Sequence, residues 1–585
     1  MTRRIVIDPL TRVEGHGKVT IRMDDAHQVV QTRLHIVEFR GFERFVQGRP
    51  YWEAIVLVQR LCGICPVSHH LCAAKAMDVV SGLRSHALTP TADKMRRLMH
   101  YGQVFQSHVL HFFHLASPDL LLGIDAPPEH RNIVGVIEEM PDIARKAVLM
   151  RKFGQEVIKV TAGKKIHGTG AIPGGINKHL ALAERDALLV GEGGVNADAM
   201  VAWAQEGLEL FKSIHKQHTS LIDGFASFPS NYMSLVRKDG AMDLYDGGLR
   251  AVDHEGQTIF DHQDAQGYAD LIAEEVRSWS YMKFPYIRSL GRERGWYRVG
   301  PLARLNTCDG IPTPLAQREL EIYRAYTGGR PHESSMHMHW ARLIETLHAA
   351  EVMRDLLHDS DLLTGDLRLE GRHTGEGVGV IEAPRGTLIH HYKVGTDDLV
   401  SMCNLIVSTT HNNEGMNRAV GWVADNVISG HEDVTEGMLN QVEVAIRAYD
   451  PCLSCATHAL GHMPLMLQIE DEIVVMARRT KSETKVERSP EHPERIWLVI
   501  LNANEAEGKL PAWAEKVIPH GQATVILSPR GCGETSKWTE KNPPNYVARA
   551  HALLGRTIDS GRLWDVQAVA RAGVDAGPVR PAGRR

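Results

Sequence analysis

The chain has 585 residues, 43% of them apolar, and a formal net charge of -5, so it is long enough to bury a metal site beneath a sizeable core. Its 66 Lys and Arg residues are dispersed rather than striped, which disfavours nucleic acid as a partner. No run approaches the ~20 apolar residues of a membrane span, and the N-terminus MTRRIVIDPLTRVEGHG has no apolar leader region, which disfavours direct membrane insertion.

The predicted elements begin with strands: RIVIDP, KVTIRMDD and QVVQTRLHIVEF are rich in β-branched residues and broken by Asp-Asp and Gly-His-Gly. Glu14 and Glu43 are expected near strand ends. From Pro66 the pattern becomes a helix that closes near Gly82, which places Cys62 and Cys65 just before a helix N-terminus, where the dipole lowers thiol pKa values. Helical periodicity follows at 91–115, 141–160 ending at Gly163, 197–218, 315–326 and 338–357. His337 and His339, in MHMHW, read as a helix start rather than a metal clip. A β segment, EGVGVIEAPRGTLIHHYKV with LVSMCNLIVSTT, precedes a last helix, MLNQVEVAIRAYD, that runs into a cysteine pair. Beyond it, residues 480–495 read as a charged linker, and residues 496–585 alternate strand and helix. The core is expected to be mainly α with peripheral β, an α+β arrangement.

Eight cysteines include two Cys-x-x-Cys pairs, Cys62/Cys65 and Cys452/Cys455, and fit a reducing compartment better than a disulfide framework. Four thiolates close one site only if the fold joins the two ends of the chain. A zinc ribbon keeps its knuckles roughly 15–20 residues apart, far less than the separation here. Thiolates without histidine suit zinc, iron-sulfur or nickel, so ligand type alone leaves the metal open. Cys72, Cys308, Cys403 and Cys532 read as buried or incidental thiols. The chain holds neither a ferredoxin-type cysteine run nor a G-x-G-x-x-G after a strand.

The flanking words, Arg60 to His69 (Arg-x-Cys-Gly-x-Cys-x-x-x-His) and Asp450 to His458 (Asp-Pro-Cys-x-x-Cys-x-x-His), resemble the two signature motifs of the large subunit of nickel-iron hydrogenases. The resemblance extends through VIDPLTRVEGHGKV, RVGPLARLN and TGEGVGVIEAPRGTLIHHY, and covers essentially residues 1–470. FRGFE, DAPPEHRN and SYMKFPY look most like the NAD-linked, cytoplasmic, bidirectional enzymes, with the heterodisulfide-reductase-linked branch the nearest competitor. It implies the large-subunit fold with a central helical bundle, and a catalytic subunit that splits or forms dihydrogen. Nickel would be bound by Cys62, Cys65, Cys452 and Cys455, with Cys65 and Cys455 bridging to an iron that carries CO and cyanide.

The same resemblance assigns Glu14 as proton relay, Arg385 as a guanidinium over the open metal position, Asp450 as its orienting carboxylate, and His69 as a hydrogen-bond partner of a ligand cysteine. Glu43 and His458 match ligands of a magnesium ion. Ser107 stands where many members carry an aspartate beside the arginine. Implied partners are an iron-sulfur small subunit, together with diaphorase subunits, these partners carrying iron-sulfur clusters, FMN and NAD. Nickel-insertion proteins and an endoprotease that cuts after His458 are also implied. The domains would then be 1–458, a cleavable extension 459–479, the linker 480–495, and a fragment 496–585 that faintly resembles α/β-hydrolase esterases but lacks their G-x-S-x-G elbow. The competing readings are a nickel-free relative like the quinone-site subunit of respiratory complex I, whose members lack these ligands, and a zinc-stapled scaffold.

Overall fold

The three opening segments form strands as expected: β1 (Arg3–Ile7), β2 (Gly17–Met23) and β3 (Val29–Ile36) make an antiparallel sheet in the order β1-β2-β3. The structure is a computed structural model describing residues 3–83 and 87–457, with the backbone of three later strands. Contacts divide the chain into two units, Met1–Met463 and Pro464–Arg585. Glu43 departs from its expected strand-end position, because Gly41 takes a left-handed conformation, φ 62°, and starts a short helix α1 (Phe42–Val46) that buries Glu43. Helix α2 (Pro66–Val80) follows with Pro66 in its first turn and Cys65 at its N-cap, as proline's fixed φ favours.

Four long helices make the centre of the first unit. Thr89 accepts a hydrogen bond from the Ala92 amide and Pro90 opens the first turn of α3 (Pro90–Leu110), which continues into a π-helical turn at His111–Ala116. Helix α4 (Pro141–Ala162) stops at left-handed Gly163, and Asn196 caps α5 (Ala197–Gln217). A short α6 (Thr219–Gly224) comes next. After α7 (Pro314–Thr327) comes α8 (His337–Leu357), buried on nearly every side. Helix α3 packs on α4 and α8, and α8 on α5. Gly102 and Gly154 meet where α3 crosses α4: a Cβ on Gly154 would lie 2.8 Å from Gln106 Cβ and 2.9 Å from the Gly102 carbonyl. That close crossing fixes the face of α3 that carries Gln103 and Gln106.

The buried carboxylates of α8 are paired, as burial requires. Arg304 donates two hydrogen bonds to Glu345, both 2.6 Å, and one to Glu382, 2.8 Å. Glu351 accepts from the Leu315 and Ala316 amides at the start of α7.

Two further sheets flank the helices. One contains β4 (Asn231–Val236), β5 (Gly248–Val252), β6 (Thr258–Gln263) and β7 (Tyr297–Arg298), in the order β7-β4-β5-β6. The other is the antiparallel run β8 (Glu376–Ala383), β9 (Gly386–Val394) and β10 (Val400–Ile406). Helix α9 (Asn413–Val423) packs against β3 and against α10 (Glu436–Arg447), which delivers the second cysteine pair. The fold is the expected α+β arrangement, mostly helical with peripheral sheets. In the second unit, β13 (Ala523–Leu527) pairs antiparallel with β11 (Thr484–Glu487) and parallel with β12 (Ile496–Ile500). Thus a strand lies inside the stretch read as linker, at one edge of this sheet. The remaining expectations for 458–585, including the extension, the later helices and Cys532, lie outside the described residues.

Candidate metal centre

The loop Cys-Gly-Ile-Cys is held between α2 and α3. Gln103 and Gln106 both donate to the Ile64 carbonyl, at 2.8 and 3.0 Å. The amides of Ile64 and Cys65 point at Cys62 Sγ, at 3.1 and 3.2 Å. The second loop follows α10, where Asp450 takes a left-handed φ of 53° and Thr409 Oγ1 accepts from the Cys452 amide at 3.0 Å. The four sulfurs converge: Cys62 and Cys452 lie 3.4 Å apart, Cys65 and Cys455 4.0 Å, and all four fit within 4.8 Å of one another, every residue buried. The sulfurs of Cys452 and Cys455 also lie against each other, and it is as thiolates that the four make a ligand set.

The helix N-terminus does not lower both thiols of the first pair, as expected from sequence. Against the cost of burial, hydrogen bonds from Cys65 and the charge of Arg385 bring Cys62 below its ordinary pKa. Cys65 is raised by its hydrogen bond to Cys62 and by burial, since the neighbouring sulfur already holds the charge.

Half-buried Glu14 reaches this cluster from the turn between β1 and β2. It forms a parallel bridge with Cys452, and its carbonyl accepts from the Leu453 amide at 2.9 Å. This approach needs Gly15, whose φ is 81° and whose Cβ would sit 2.6 Å from the Ser454 nitrogen. Glu14 Oε2 lies 3.0 Å from Cys452 Sγ and accepts from the Ser454 amide at 3.2 Å, while Ser454 Oγ donates to Oε1.

Arg385 sits in the tight turn between β8 and β9. Its Nη2 donates to Asp450 Oδ1 at 2.9 Å, its Nε to the Asp450 carbonyl, and its Nη1 to Ser107 Oγ at 3.4 Å. Ser107 therefore occupies the place beside the arginine that the sequence suggested, giving that guanidinium one carboxylate and one hydroxyl. Asp450 Oδ2 is buried without a hydrogen-bond partner among the described residues, and burial raises the Asp450 pKa even though Arg385 opposes this. A small cavity is lined by Cys65, Cys452, Cys455 and Arg385 with the apolar Leu388 and Val407. His69 lines it too, and its Nδ1 meets His390 Nε2 at 3.1 Å. Burial lowers the His69 pKa to about 3, which keeps the ring neutral.

Glu43 does not line this cavity and accepts from the Leu405 amide at 2.9 Å. Its expected companion, His458, lies outside the described residues. The preceding residue, Thr457, accepts from the Arg40 amide at 3.1 Å, so the chain arrives beside the segment that carries Glu43.

A family profile described as nickel-dependent hydrogenase matches residues 40–126 and 233–458, and a second, described as HoxL-like, matches residues 4–39. The chain belongs to the nickel-dependent hydrogenase family. It is 53% identical over 480 residues to the NAD-reducing hydrogenase HoxS subunit beta of Cupriavidus necator, covering 80% of this chain and 98% of that one. It is 42% identical over 475 residues to one subunit of the F420-non-reducing hydrogenase of Methanothermobacter thermautotrophicus, covering 80% and 97%. Among solved structures, an NAD+-reducing [NiFe]-hydrogenase in the H2-reduced state matches with TM-score 0.76 and 55% identity over 78% of this chain and 99% of that one. A Ni-Fe-Se hydrogenase from D. vulgaris Hildenborough, 21% identical with TM-score 0.62 over 78% of this chain and 100% of that one, shares the fold. The protein is a hydrogenase catalytic subunit with a nickel-iron centre.

The residues fit that centre. Four buried sulfurs form a soft donor set suited to nickel and iron, the Arg385 guanidinium lines the cysteine-lined cavity, and its partner Asp450 keeps one buried carboxylate oxygen without a hydrogen bond among the described residues. Ser454, Thr409 and His390 were not singled out from sequence. Ser454 stands inside the second Cys-x-x-Cys and was accessible there, whereas Thr409 and His390 reach the site through tertiary packing alone.

Replacing Arg385 by lysine keeps the charge but cannot span Asp450 and Ser107 together. Hydrogenase activity is expected to fall roughly 10- to 100-fold with nickel content unchanged, the range for supporting residues at a metal site. Hydrogen-oxidation assays with metal analysis check this.

Proposed function

We propose that Cys62, Cys65, Cys452 and Cys455 hold the nickel, and that Cys65 and Cys455 bridge it to an iron bearing CO and cyanide. The single observation that carries the site assignment is the meeting of two cysteine pairs from opposite ends of the chain with the Glu14 carboxylate, 3.0 Å from Cys452 Sγ. The iron ligands are supported by the cavity beside Cys65 and Cys455, whose apolar Leu388 and Val407 suit neutral carbon monoxide while Arg385 and Ser408 offer donors to anionic cyanide.

When bound, the metal pair supplies the electrophile that polarises dihydrogen and takes up its electrons. The chain's own residues handle the proton. A proton on Cys452 Sγ passes to Glu14 Oε2, whose second oxygen Ser454 holds in place by its hydroxyl. Arg385, fixed by Asp450 and Ser107, keeps a buried positive charge at the cavity wall. Val407, Leu388 and the Pro384 ring exclude water from it. His69, neutral and hydrogen-bonded to His390, would orient the sulfur nearest it.

Electrons leave through an iron-sulfur small subunit, then through diaphorase subunits carrying iron-sulfur clusters and FMN to NAD. Support for this, and for a cytoplasmic complex, comes from the 53% identity to a component of an NAD-reducing hydrogenase. No described helix is long and apolar enough to cross a membrane. Glu43 and His458 would share a magnesium ion, since oxygen-rich coordination suits that hard cation and Thr457 already lies against Arg40. Nickel-insertion proteins would load the site before an endoprotease cuts after His458, the residue at which the family match also ends.

The test uses the complex produced with its own maturation proteins. Hydrogen-dependent NAD+ reduction and an intact mass ending at His458 are expected. Hydrogen oxidation with an artificial acceptor but none with NAD+ would overturn the acceptor. Active, nickel-loaded enzyme still carrying Arg585 would overturn the processing step.

A further inference from the structure

A second group of metal-binding side chains lies away from the four cysteines, where the end of α5, the short α6 and the start of α8 meet. His215, Asp223 and His337 present one ligand atom each within 4.8 Å of one another. His215 Nε2 is 2.8 Å from Asp223 Oδ1, and His337 Nε2 is 2.9 Å from the same oxygen. The two histidines are buried, while the Asp223 side chain is 30% exposed and leaves an entry from solvent.

The atoms around this trio are arranged as outer partners of a metal site. Tyr326 donates to the other carboxylate oxygen, Asp223 Oδ2, which leaves Oδ1 to face the imidazoles. Tyr323 Oη lies 3.3 Å from His337 Nδ1, where it accepts if that nitrogen carries the proton and Nε2 keeps its lone pair. The His332 ring stacks on His337 with centroids 3.4 Å apart, fixing its plane. Burial and the neighbouring His332 hold the His337 pKa down at about 3, so the ring is neutral, the form that ligates.

Two hydrogen-bonding protons and one divalent cation are alternative ways to fill the triangle between these three atoms. With the cation, each histidine carries its proton on Nδ1, the ligand atoms spread slightly from their hydrogen-bond spacing to admit the ion, and the ionised Asp223 supplies the charge. Two imidazoles and one carboxylate with an open fourth position suit zinc, which has no geometric preference of its own.

We propose that His215, Asp223 and His337 form a zinc site, separate from the nickel-iron centre, that clamps α5, α6 and α8 together. The pairing of His337 with His339 plays no part in it, because His339 stacks instead on His111.

The test uses nickel-loaded holoenzyme, so that the four cysteines are already occupied, dialysed against Zn(II) with Mg(II) as the control. One additional zinc per chain is expected, with a zinc-dependent rise in thermal midpoint, because a ligand bound only to the folded state stabilises it. Since outer partners alone are worth 10- to 100-fold, loss of a ligand in His215→Gln or Asp223→Asn should weaken zinc binding at least about 100-fold. Hydrogen turnover should be unchanged. No zinc above the nickel-iron content, or zinc retained undiminished by both variants, would overturn the proposal and leave a hydrogen-bonded triad. If a variant fails to fold, diffraction at the zinc edge on the unaltered holoenzyme decides: a peak between His215 and His337 supports the site, and none there refutes it.

Discussion

Cys65→Ser and Cys455→Ser should each abolish hydrogen turnover, with nickel and iron both lost from the purified subunit. The two sulfurs lie 4.0 Å apart and both line the cavity under Arg385. A serine hydroxyl in either place stays protonated and is a hard donor, so it cannot bridge two soft ions as a thiolate does. Cys72→Ser is the control. Cys72 sits one helical stretch further along α2 and donates to the Gly379 and Leu388 carbonyls at 3.2 and 3.3 Å, bonds that a hydroxyl also makes. Activity and metal content should survive there. Metal analysis beside hydrogen-oxidation assays separates the cases, and turnover in Cys65→Ser would remove that residue from the ligand set.

Glu14→Gln should keep both metals and lose roughly 10²- to 10⁴-fold in rate, the usual worth of a positioned acid or base. The amide retains the shape of the carboxylate, so it can still accept from the Ser454 amide and meet the Ser454 hydroxyl, and the backbone bond from Leu453 to Glu14 is untouched. What disappears is the capacity of that oxygen, 3.0 Å from Cys452 Sγ, to take up a proton. Hydrogen-deuterium exchange should fall in parallel with turnover, because both need the proton to leave. Full exchange activity in the variant would sink the relay assignment.

The four cysteines, Glu14, Arg385 and Asp450 were legible because each sits in a short word whose residues are neighbours in the chain. The structure then joins those words, through the Glu14–Cys452 bridge and the Arg385–Asp450 ion pair. The long helices were legible for a different reason: caps such as Thr89 and Asn196 and the stop at Gly163 coincide with the ends of the apolar periodicity.

What escaped was set by tertiary contact. FRGFERF looks like the end of a strand, yet Gly41 turns the chain into a helix around Glu43. Helix α9 carries Asn, Glu, Arg and Gly among its apolar residues and has no side-chain cap to announce it, so only its packing on β3 and α10 marks it. The sheet β4 to β7 is made of strands of two to six residues, and β4, β5 and β7 are buried on both faces, which removes the alternation that identifies a strand. His337 was read as a helix start, which it is, but its partners His215 and Asp223 come from elements more than 100 residues earlier.

Diffraction from the mature complex at the nickel absorption edge tests the central claim most directly. The account predicts a single nickel peak within bonding distance of Cys62, Cys65, Cys452 and Cys455, with an iron peak on the side of Cys65 and Cys455. A peak at the zinc edge among the four cysteines, with no nickel and no iron beside it, would contradict it.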